Sequence, residues 1–368
     1  MWAWALRSLW HDTAGFVASI LATAGAFLLV MVFQAVYVGE SQQVVAYVDK
    51  VDADIWVLQR GVSNMHMATS YLSADKVAAV RRMPGVEQAE GILYLNTVVS
   101  APRYQWFAYV VGLDSDSTLA APWSVSEGVT VPGPGQISVP RILAEQAGLS
   151  LGDVLRIADR TFTIAGLTEE TFSMANSVLF VSRLALEDLL SAFDIVSFIA
   201  LKTDGSVDPE VLARQIAHDL DVEALTKDQF VTNDRQLAMQ MGVETIALMT
   251  VIGGTLAAVL VAFTVYAQVL RQRAAHAAIR ALGATAFQLL ATVLMQAFIV
   301  TLTGVAVAGG LAAIAMPLIT AWIPQIQLQF STAILVNVAV VGLVVALVAS
   351  WWPARQLIGI DPVRAFRT

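Results

Sequence analysis

The sequence predicts a polytopic α-helical membrane protein with four transmembrane helices and a large extracytoplasmic α+β domain between the first and second spans. Apolar residues make up 57% of the 368 residues, whereas charged residues make up only 14%. Residues 281–354 contain no Asp, Glu, Lys, Arg or His, and such a stretch can hold two spans of about 20 residues each. The charges outside the apolar runs are separated by sign, as expected for two different aqueous faces.

This separation of charge predicts the orientation of the chain. Residues 40–244 hold 14 basic and 27 acidic residues, whereas the short pieces that flank the spans on the opposite side hold seven arginines and two acids. Cytoplasmic pieces are enriched in Lys and Arg, so we expect 40–244 to lie outside the membrane. Its acidity argues against nucleic acid as a partner. The chain has no cysteine, which excludes disulfides and thiolate metal sites.

The first domain is predicted over residues 1–39. Residues 1–12 have the pattern of an amphipathic helix with tryptophans on its apolar side, which suits a membrane interface. Ala14–Val38 is the first span. A cleaved signal peptide is the alternative, but the apolar run continues well past the small residues at 22–24, whereas a signal h-region has only about 7–15 residues. We therefore expect an uncleaved anchor.

Residues 40–244 are predicted to form a split α/β domain, in which two strand–helix–strand units flank a β-rich insertion at about 100–190. The insertion is expected to hold a helix over 141–147 and a hairpin over 154–167. Its glycines are not followed by Lys-Ser or Lys-Thr, so no phosphate-binding loop is predicted. The elements of the two flanking units are expected at 55–58, at 74–83 with Ser73 as N-cap, at 92–99, at 196–201, from Pro209 after the N-cap Asp208, and at 222–225.

Residues 245–368 are predicted to hold the other three spans. These are Ile246–Gln268, Phe287 to about Met316 with Pro317 at its outer end, and Ala333–Trp352, followed by a basic tail. No Asp, Glu, Lys, Arg or His lies in any of the four spans. Ion-coupled transporters usually need intramembrane acids or broken helices, so any energy-dependent process of this chain is expected to use another source of energy.

A cationic helix is predicted over residues 271–284, between the second and third spans. Arg273, His276 and Arg280 fall at positions i, i+3 and i+7, which share one face of a helix. Gly283 is placed to end this helix. Two interpretations stay open: the arginines only fix the topology, or the helix is a docking site for a cytoplasmic partner.

Residue types that could carry chemistry do not form a recognisable site in the sequence. No two of the four histidines lie at metal-ligand spacing. His66 between Met65 and Met67 invites a copper interpretation, but a single such triplet is more often a packed or surface loop. The serines lack a nucleophile elbow. We therefore expect no metal, no cofactor and no enzymatic activity of the chain itself.

The chain resembles the FtsX/MacB-type permease family of ABC transporters over its whole length. The segment 279–284 is similar to the family's basic cytoplasmic element, although His276 and Ala277 stand where members often carry acids. Val139 to Gly166 resembles the periplasmic core domain of the family. The tail is similar to the family's C-terminal motif at Pro353, Arg355, Asp361 and Pro362.

This resemblance implies the permease subunit of a MacB- or DevC-like half-transporter in the bacterial inner membrane. No ATPase domain precedes the first span, so the resemblance implies a separate ATPase subunit. Motion of helix 271–284 on ATP binding would pass through the first and second spans to the outer domain. A periplasmic adaptor and an outer-membrane channel are further implied partners. The residues implied to couple to the ATPase are Arg271, Arg273, His276, Arg280 and Gly283.

The resemblance also implies a dimer, either a homodimer or a heterodimer, with its contact through the first and second spans. Uncharged helices associate in lipid through close packing of small residues. Gly253 and Gly254 of the second span are therefore predicted at the dimer contact. The small residues of the third span, Gly304, Ala308 and Ala312, are expected to pack within one subunit.

Export of a substrate from the periplasm or outer leaflet is the function that the resemblance favours. Two alternatives within the family are an FtsX-like transmembrane signal transducer that regulates a periplasmic partner and a lipoprotein-release permease. A membrane-anchored receptor with no ATPase partner is the alternative from another class. Neighbouring genes would discriminate: an ATPase gene with an adaptor gene indicates export, whereas a cell-wall hydrolase gene indicates signalling.

Overall fold

The chain divides into two compact units. One comprises residues 1–38, 244–323 and 328–368, and the other comprises 39–243 and 324–327. The predicted amphipathic helix at the N-terminus lies outside the described residues. The structure, a computed structural model, describes residues 12–66, 68–102, 104–172, 177–238, 244–323, 326 and 328–358.

Long helices dominate the first unit, whereas short helices occur with the strands in the second. In chain order the described helices are α1 (Thr13–Gln43), α2 (Ala46–Lys50), α3 (Asp75–Arg81), α4 (Arg141–Ala147), α5 (Arg183–Leu190), α6 (Pro209–Leu220), α7 (Lys227–Ala238), α8 (Glu244–Arg271), α9 (Arg273–Ala281), α10 (Ala286–Trp322) and α11 (Thr332–Ile358).

The described strands belong to the second unit. They are β1 (Ile55–Leu58), β2 (Leu72–Ser73), β3 (Val86–Ser100), β4 (Gln105–Leu113), β5 (Val125–Gly128), β6 (Gln136–Pro140), β7 (Val154–Ile157), β8 (Arg160–Thr168), β9 (Val178–Ser182), β10 (Ile195–Val196), β11 (Phe198–Thr203) and β12 (Glu223–Thr226).

The four predicted spans are confirmed as helices α1, α8, α10 and α11, each long and apolar enough to cross a membrane. The 31 residues of α1 extend about 46 Å at 1.5 Å per residue, against a hydrocarbon core of about 30 Å. Seven of the fifteen buried residues between these helices are alanines, and small residues allow helices to pack closely. Met31 and Ala35 of α1 and Ala308 and Ala312 of α10 are fully buried there.

The third and fourth spans were predicted to end next to prolines, but both helices continue through them. Helix α10 continues through Pro317 to Trp322, so the predicted end near Met316 is wrong. A proline removes one backbone hydrogen bond from a helix, whereas ending the helix in lipid would leave several backbone groups unpaired. Helix α11 likewise continues through Pro353 to Ile358.

A mixed ten-stranded sheet forms the framework of the outer unit, in the order β12-β1-β11-β3-β4-β9-β6-β8-β5, with β7 paired to β3 and β8. Strand β1 is antiparallel to both β11 and β12, and β11 is antiparallel to β3. The units β1–α3–β3 and β11–α6–β12 therefore interleave as two split βαβ units, the ferredoxin-like arrangement. This agrees with the predicted split α/β domain, and β4–β9 form its β-rich insertion.

The two faces of the interleaved strands carry separate cores because side chains alternate along a strand. Ile55 and Val57 of β1 pack with Val80 of α3 and Ile216 of α6 on one face. Trp56, between them in sequence, lies on the opposite face in a core that also includes residues of α2 and α7. The insertion has a third core, built from β3, β4 and β6–β9 with α4 and α5.

Local signals predicted one helix start correctly and another incorrectly. Asp208 caps α6, since its Oδ1 accepts the N–H of Glu210 at 2.9 Å. Ser73 does not cap α3, which begins at Asp75 without a side-chain cap. The backbone of Ser73 instead pairs with Ile195 in the small β2–β10 sheet, so its conformation is extended two residues before the helix.

A buried carboxylate fixes the loop that follows β4. Glu90 of β3 accepts hydrogen bonds from the backbone N–H groups of Thr118, Leu119 and Ala120 at 2.9, 3.0 and 3.0 Å and from the hydroxyl of Ser117. Burial alone would raise the pKa of Glu90, but these hydrogen bonds outweigh burial and hold the pKa below its ordinary value. The charged carboxylate therefore stabilises the folded loop at neutral pH.

Replacing Glu90 by Gln should destabilise the outer domain by about 3 kcal/mol at pH 7, because a charge-assisted acceptor of several N–H groups is lost. The folded-state pKa is lowered, so the advantage of the wild type exists above the unfolded-state pKa of about 4.3 and is lost as pH falls through the folded-state pKa. Urea unfolding of both full-length proteins, followed by tryptophan fluorescence at pH 7 and pH 3, measures the difference. A difference that is equally large at pH 3 would contradict the role of the charge.

Candidate functional site

The connection between the second and third spans is a short helix that starts after a sharp break. Helix α8 ends at Arg271, Gln272 leaves the helical conformation with φ −93° and ψ 12°, and α9 begins at Arg273. The prediction of one helix over 271–284 is therefore wrong at its start, since Arg271 belongs to the second span. Helical periodicity in the sequence continues through Gln272, so it does not reveal this break.

The other end of α9 follows the predicted pattern. Gly283 has φ +98°, a conformation that favours glycine. The N–H groups of Gly283 and Ala284 donate to the carbonyls of Arg280 and Ile279 at 3.0 and 3.2 Å, which is the Schellman arrangement. Thr285 then begins α10 with a capping box, so the connection turns sharply into the third span.

Arg271 joins the cytoplasmic ends of the second and first spans. Its Nε lies 3.3 Å from Oδ2 of Asp12, and its Nη2 lies 3.4 Å from the carbonyl oxygen of Gly15 and 3.5 Å from Oγ of Ser19. Oδ1 of Asp12 also accepts the N–H of Gly15 at 3.1 Å, next to the start of α1. We refer to the ion pair as the Asp12–Arg271 clamp. Both side chains are partly exposed, so the clamp contributes at most about 1 kcal/mol to stability.

A buried amide pair joins the same connection to the third span. Nε2 of Gln296 in α10 donates to Oε1 of Gln272 at 2.8 Å, and both residues are buried. An amide in a low-dielectric interior costs free energy unless it is hydrogen-bonded, so this pair holds α10 against the break between α8 and α9. Gln272 and Arg271 together link the connection to three of the four spans.

The residues predicted to couple to an ATPase separate into two groups. Arg271 belongs to the clamp within the membrane unit. Arg273 and His276 lie on α9, but their side chains are outside the described part, and Arg280 is half-buried on the same helix. Leu282, which follows the last residue of α9, is 87% exposed. A contact between this face and an ATPase stays a prediction.

The predicted C-terminal motif is only partly described. Pro353 and Arg355 lie within α11, whereas Asp361 and Pro362 lie outside the described residues. Sequence reasoning did not identify Asp12 or Gln296 as parts of the cytoplasmic site. A signal for Asp12 was present, because it is one of only two acids in the predicted cytoplasmic pieces and its opposite charge matches the arginine-rich connection.

The two glycines predicted at the dimer contact have different surroundings. A Cβ on Gly253 would lie 3.2 Å from Cδ2 of Phe33 in the first span, so Gly253 allows α8 and α1 of one subunit to approach. A Cβ on Gly254 would meet nothing within 4 Å. On α10, Ala308 and Ala312 are fully buried within the subunit. Gly254 is therefore the better residue with which to test the predicted dimer contact.

Substituting Gly254 by Leu should reduce crosslinking between subunits, because the side chain would block close approach of two α8 helices. Substituting Ala308 by Leu should instead destabilise each subunit by about 1–3 kcal/mol through overpacking and leave the crosslinking of folded protein unchanged. Cysteine pairs introduced into the cysteine-free chain measure the first effect, and thermal unfolding in detergent measures the second. Exchanged effects would place the dimer contact on α10.

In the outer unit, the segments adjacent to the first and second spans in sequence share one core. Tyr47 of α2 is buried against Trp56, with ring centroids 6.0 Å apart, and donates its hydroxyl to the carbonyl of Ala120 at 3.0 Å. Phe230 of α7 packs on the same tryptophan at 5.6 Å. Helices α2 and α7 also contact each other directly. The outer unit therefore holds both of its membrane connections together.

His66 is packed in that core and is not exposed as a surface metal ligand would be. Its Nδ1 lies 2.8 Å from Oδ1 of Asp234 in α7, and both side chains are almost fully buried. The same carboxylate oxygen accepts the N–H of Met65 at 3.0 Å. Within the described residues, no three His, Cys, Asp or Glu side chains are grouped to hold a metal ion. The pair fastens the loop before β2 to the helix that precedes the second span.

Four apolar spans, one large α+β domain between the first two, and a basic turn between the next two define a multi-pass membrane protein of the permease class. Residues 16–219 match the family model of the MacB-like periplasmic core domain. Residues 247–362 match the model of the FtsX-like permease C-terminal region. The chain belongs to the FtsX/MacB-type family of ABC transporter permeases.

Known proteins and solved structures are also similar to this chain. Uncharacterized ABC transporter permeases of Mycobacterium bovis and Mycobacterium tuberculosis are each 24% identical over 316 residues, which cover 85% of this chain and 86% of the relative. The periplasmic region of MacB from Actinobacillus actinomycetemcomitans aligns with 49% of this chain and 91% of its own, at 9% identity and a TM-score of 0.39. The extracellular domain of the ABC-type transporter YknZ from Gram-positive bacteria gives 12% identity, a TM-score of 0.37, and coverage of 47% and 98%.

Proposed function

We propose that this permease couples ATP hydrolysis by a separate cytoplasmic ATPase to movements of its outer domain, and that it exports a substrate from the periplasm or outer leaflet. The chain itself performs no catalytic step in this mechanism. The observation that supports the proposal best is that the segments entering and leaving the outer domain are joined to each other, as are the first and second spans. The Asp12–Arg271 clamp joins their cytoplasmic ends, and the core shared by α2 and α7 joins the segments that enter and leave the outer domain.

Two joined helices transmit displacement better than one. Axial hydrogen bonds make each helix stiff along its length, whereas a single helix can tilt or rotate in lipid without moving the domain attached to it. A displacement of α9 reaches α8 across the one-residue break at Gln272. It reaches α1 through the clamp and α10 through the Gln272–Gln296 pair. Motion of the cytoplasmic connection is thereby shared by three spans.

The cytoplasmic face of α9 supplies the contact with the ATPase in this proposal. The helix contains basic residues and no acid, so an acidic groove on a partner would be complementary to it. The positive charge comes from the basic stripe, which is the helix face shared by Arg273, His276 and Arg280. The exposed Leu282 provides an apolar anchor of the kind that fills a pocket at an interface. Gly283 keeps Leu282 at the outside of the turn by ending α9 there.

The proposed assembly contains two permeases and two ATPases. A dimer of permeases would place two α9 helices on two ATPases, and Gly254 offers the open small surface for the contact between α8 helices. Residues 40–244 act as the moving outer domain and 245–368 as the permease core. A periplasmic adaptor and an outer-membrane channel would complete the export path.

The proposal is tested by hydrogen–deuterium exchange on the complex with its ATPase in nanodiscs, compared in the ADP state and in an ATP state trapped by a hydrolysis-deficient ATPase. We expect exchange to change in α9 and also in α2 and α7 of the outer domain. Changes confined to the cytoplasmic connection would contradict the coupling. Co-purification of a periplasmic adaptor supports export, whereas co-purification of a cell-wall hydrolase without an adaptor contradicts it.

A further inference from the structure

A cleft opens between the first, second and fourth spans at the ends that lead to the outer side. It has a volume of about 650 Å³, within the range of about 300–1,000 Å³ that is usual for small-ligand sites. The cleft lies wholly within the membrane unit. Its lining residues are Gln34, Tyr37 and Val38 of α1, Ala247 and Thr250 of α8, and Ser331, Ala333, Ile334 and Asn337 at the start of α11.

The lining combines uncharged hydrogen-bonding groups with apolar walls. Five of the nine lining side chains carry an amide or a hydroxyl, and none of the nine is charged. Gln34 and Tyr37 lie one helical turn apart on α1 and therefore share a face. Polar groups are concentrated here although the four spans are otherwise highly apolar, so the cleft differs from the lipid-facing surface around it.

Asn337 is the most informative of these residues. Its side chain is exposed on α11, five residues after the first residue of a helix that crosses the membrane. An amide that faces hydrocarbon without a partner costs several kcal/mol, so such residues normally face protein, a cavity or a ligand. The protein surrounding Asn337 leaves that side chain open to the cleft.

We propose that this cleft binds the uncharged polar region of a lipid-like amphiphile that enters from the outer leaflet. The side-chain amides of Gln34 and Asn337 both donate and accept, so they suit ester carbonyls, amides and hydroxyls of a ligand. The apolar residues Val38, Ala247 and Ile334 lie against its hydrocarbon chain. A charged headgroup would lose hydration without gaining a counter-charge from any of the lining residues, and this disfavours anionic and cationic lipids at the same depth.

The test uses the full-length permease alone in nanodiscs, so its outcome is independent of ATPase coupling. The probes are a photoactivatable diacylglycerol and a photoactivatable phosphatidylglycerol with identical chains. We expect the diacylglycerol to label peptides that contain residues 34–38, 247–250 or 331–337 about fivefold more strongly than the anionic lipid, because the phosphate would lose hydration without gaining a counter-charge. Equal labelling by the two probes would overturn the proposal.

Substitutions identify the side chains that are responsible for the preferential labelling by diacylglycerol. Gln34→Leu and Asn337→Leu should each lower diacylglycerol labelling to the level of the anionic lipid. Both changes make a span more apolar and therefore do not weaken membrane insertion. Val340→Leu is the matched control, since Val340 is exposed on the same helix but does not line the cleft, and its labelling should equal that of the wild type. Unchanged labelling of the two Leu variants would overturn the proposal.

A contact between two copies of the chain is the competing occupant of the cleft, and it gives a different result. The chain has no native cysteine, so Ala333→Cys places one thiol at the cleft without removing a hydrogen-bonding side chain. If the cleft binds a ligand, this thiol should be protected from a maleimide by diacylglycerol and should give little disulfide-linked dimer. Near-complete disulfide crosslinking between subunits, without diacylglycerol labelling, would overturn the proposal and assign the cleft to the subunit interface.

Discussion

Reversing Arg271 to Asp should reduce the stimulation of ATP hydrolysis by the permease more than about tenfold, as expected when a coupling free energy of 1–3 kcal/mol is lost. The substitution replaces an attractive contact with Asp12 by repulsion and removes the donors to the first turns of α1. The stability of the fold should change by less than about 1 kcal/mol, because the ion pair is partly exposed. A large loss of coupling with a small loss of stability would identify the clamp as a mechanical link.

The charge swap gives the sharpest control for this experiment. Asp12→Arg should uncouple transport as Arg271→Asp does, and the double variant should recover coupling because the pair is restored with reversed polarity. The double variant also keeps the net charge of the cytoplasmic face, so it keeps the signal that fixes the topology. Stimulated ATP hydrolysis in reconstituted vesicles measures all three variants.

An ion pair of similar exposure elsewhere shows whether charge reversal is harmful in general. Arg160 and Asp188 lie 2.8 Å apart in the outer domain and are about half-exposed, as the clamp residues are. Arg160→Asp should leave stimulated hydrolysis unchanged. If the double variant at the clamp stayed uncoupled while Arg160→Asp was normal, the geometry of the Arg271 side chain rather than the pair would be responsible, and the clamp mechanism would be wrong.

Hydropathy and local signals were sufficient to predict the membrane helices and most of the outer elements. A helix in lipid must bond its own backbone, so long apolar runs have only one available structure, and all four spans were found. Asp208 and Gly283 predicted a helix start and a helix end because capping depends on neighbouring residues alone. The hairpin β7–β8 followed from alternation around a turn.

Features that depend on distant parts of the chain could not be predicted in this way. The contact of Arg271 with Asp12 joins residues 259 positions apart, and nothing in local periodicity indicates it. Gly253 and Gly254 look equivalent in the sequence, yet only the former has Phe33 beside it. The extended conformation of Ser73 comes from pairing with Ile195, more than a hundred residues later.

The candidate site also combines a feature that the local sequence predicts with features that depend on distant residues. Its charge was visible in the sequence, because an acid-free basic segment between two spans fixes a cytoplasmic face. The contacts between the site and the spans could not be seen in the sequence. Gln272 and Gln296 are ordinary uncharged residues, and their importance arises from burial and mutual hydrogen bonding. The structure therefore adds to the predicted surface its contacts with three spans.

Reversing Arg273 and Arg280 to Glu should prevent co-purification of the ATPase and abolish permease-stimulated hydrolysis. Truncating one partner of a close interfacial charge pair costs about 2–5 kcal/mol, which is a loss of about 30-fold or more in affinity, and reversal adds repulsion to that loss. The neutral variant Arg273→Gln with Arg280→Gln should show an intermediate affinity. Co-purification from detergent and titration of the ATPase against reconstituted permease measure both variants.

Membrane insertion is the necessary control, because the same arginines contribute to orientation. Arg271 remains in both double variants, and a reporter fused at residue 130 should stay on the outer side in each. Leu282→Ser tests the apolar part of the same surface without changing charge, and it should weaken ATPase binding, since Leu282 is 87% exposed in the permease and would be buried in the complex. Normal ATPase binding by the Glu variant, with correct insertion, would show that the stripe serves only as a topology signal. The ATPase would then have to contact a different part of the cytoplasmic face.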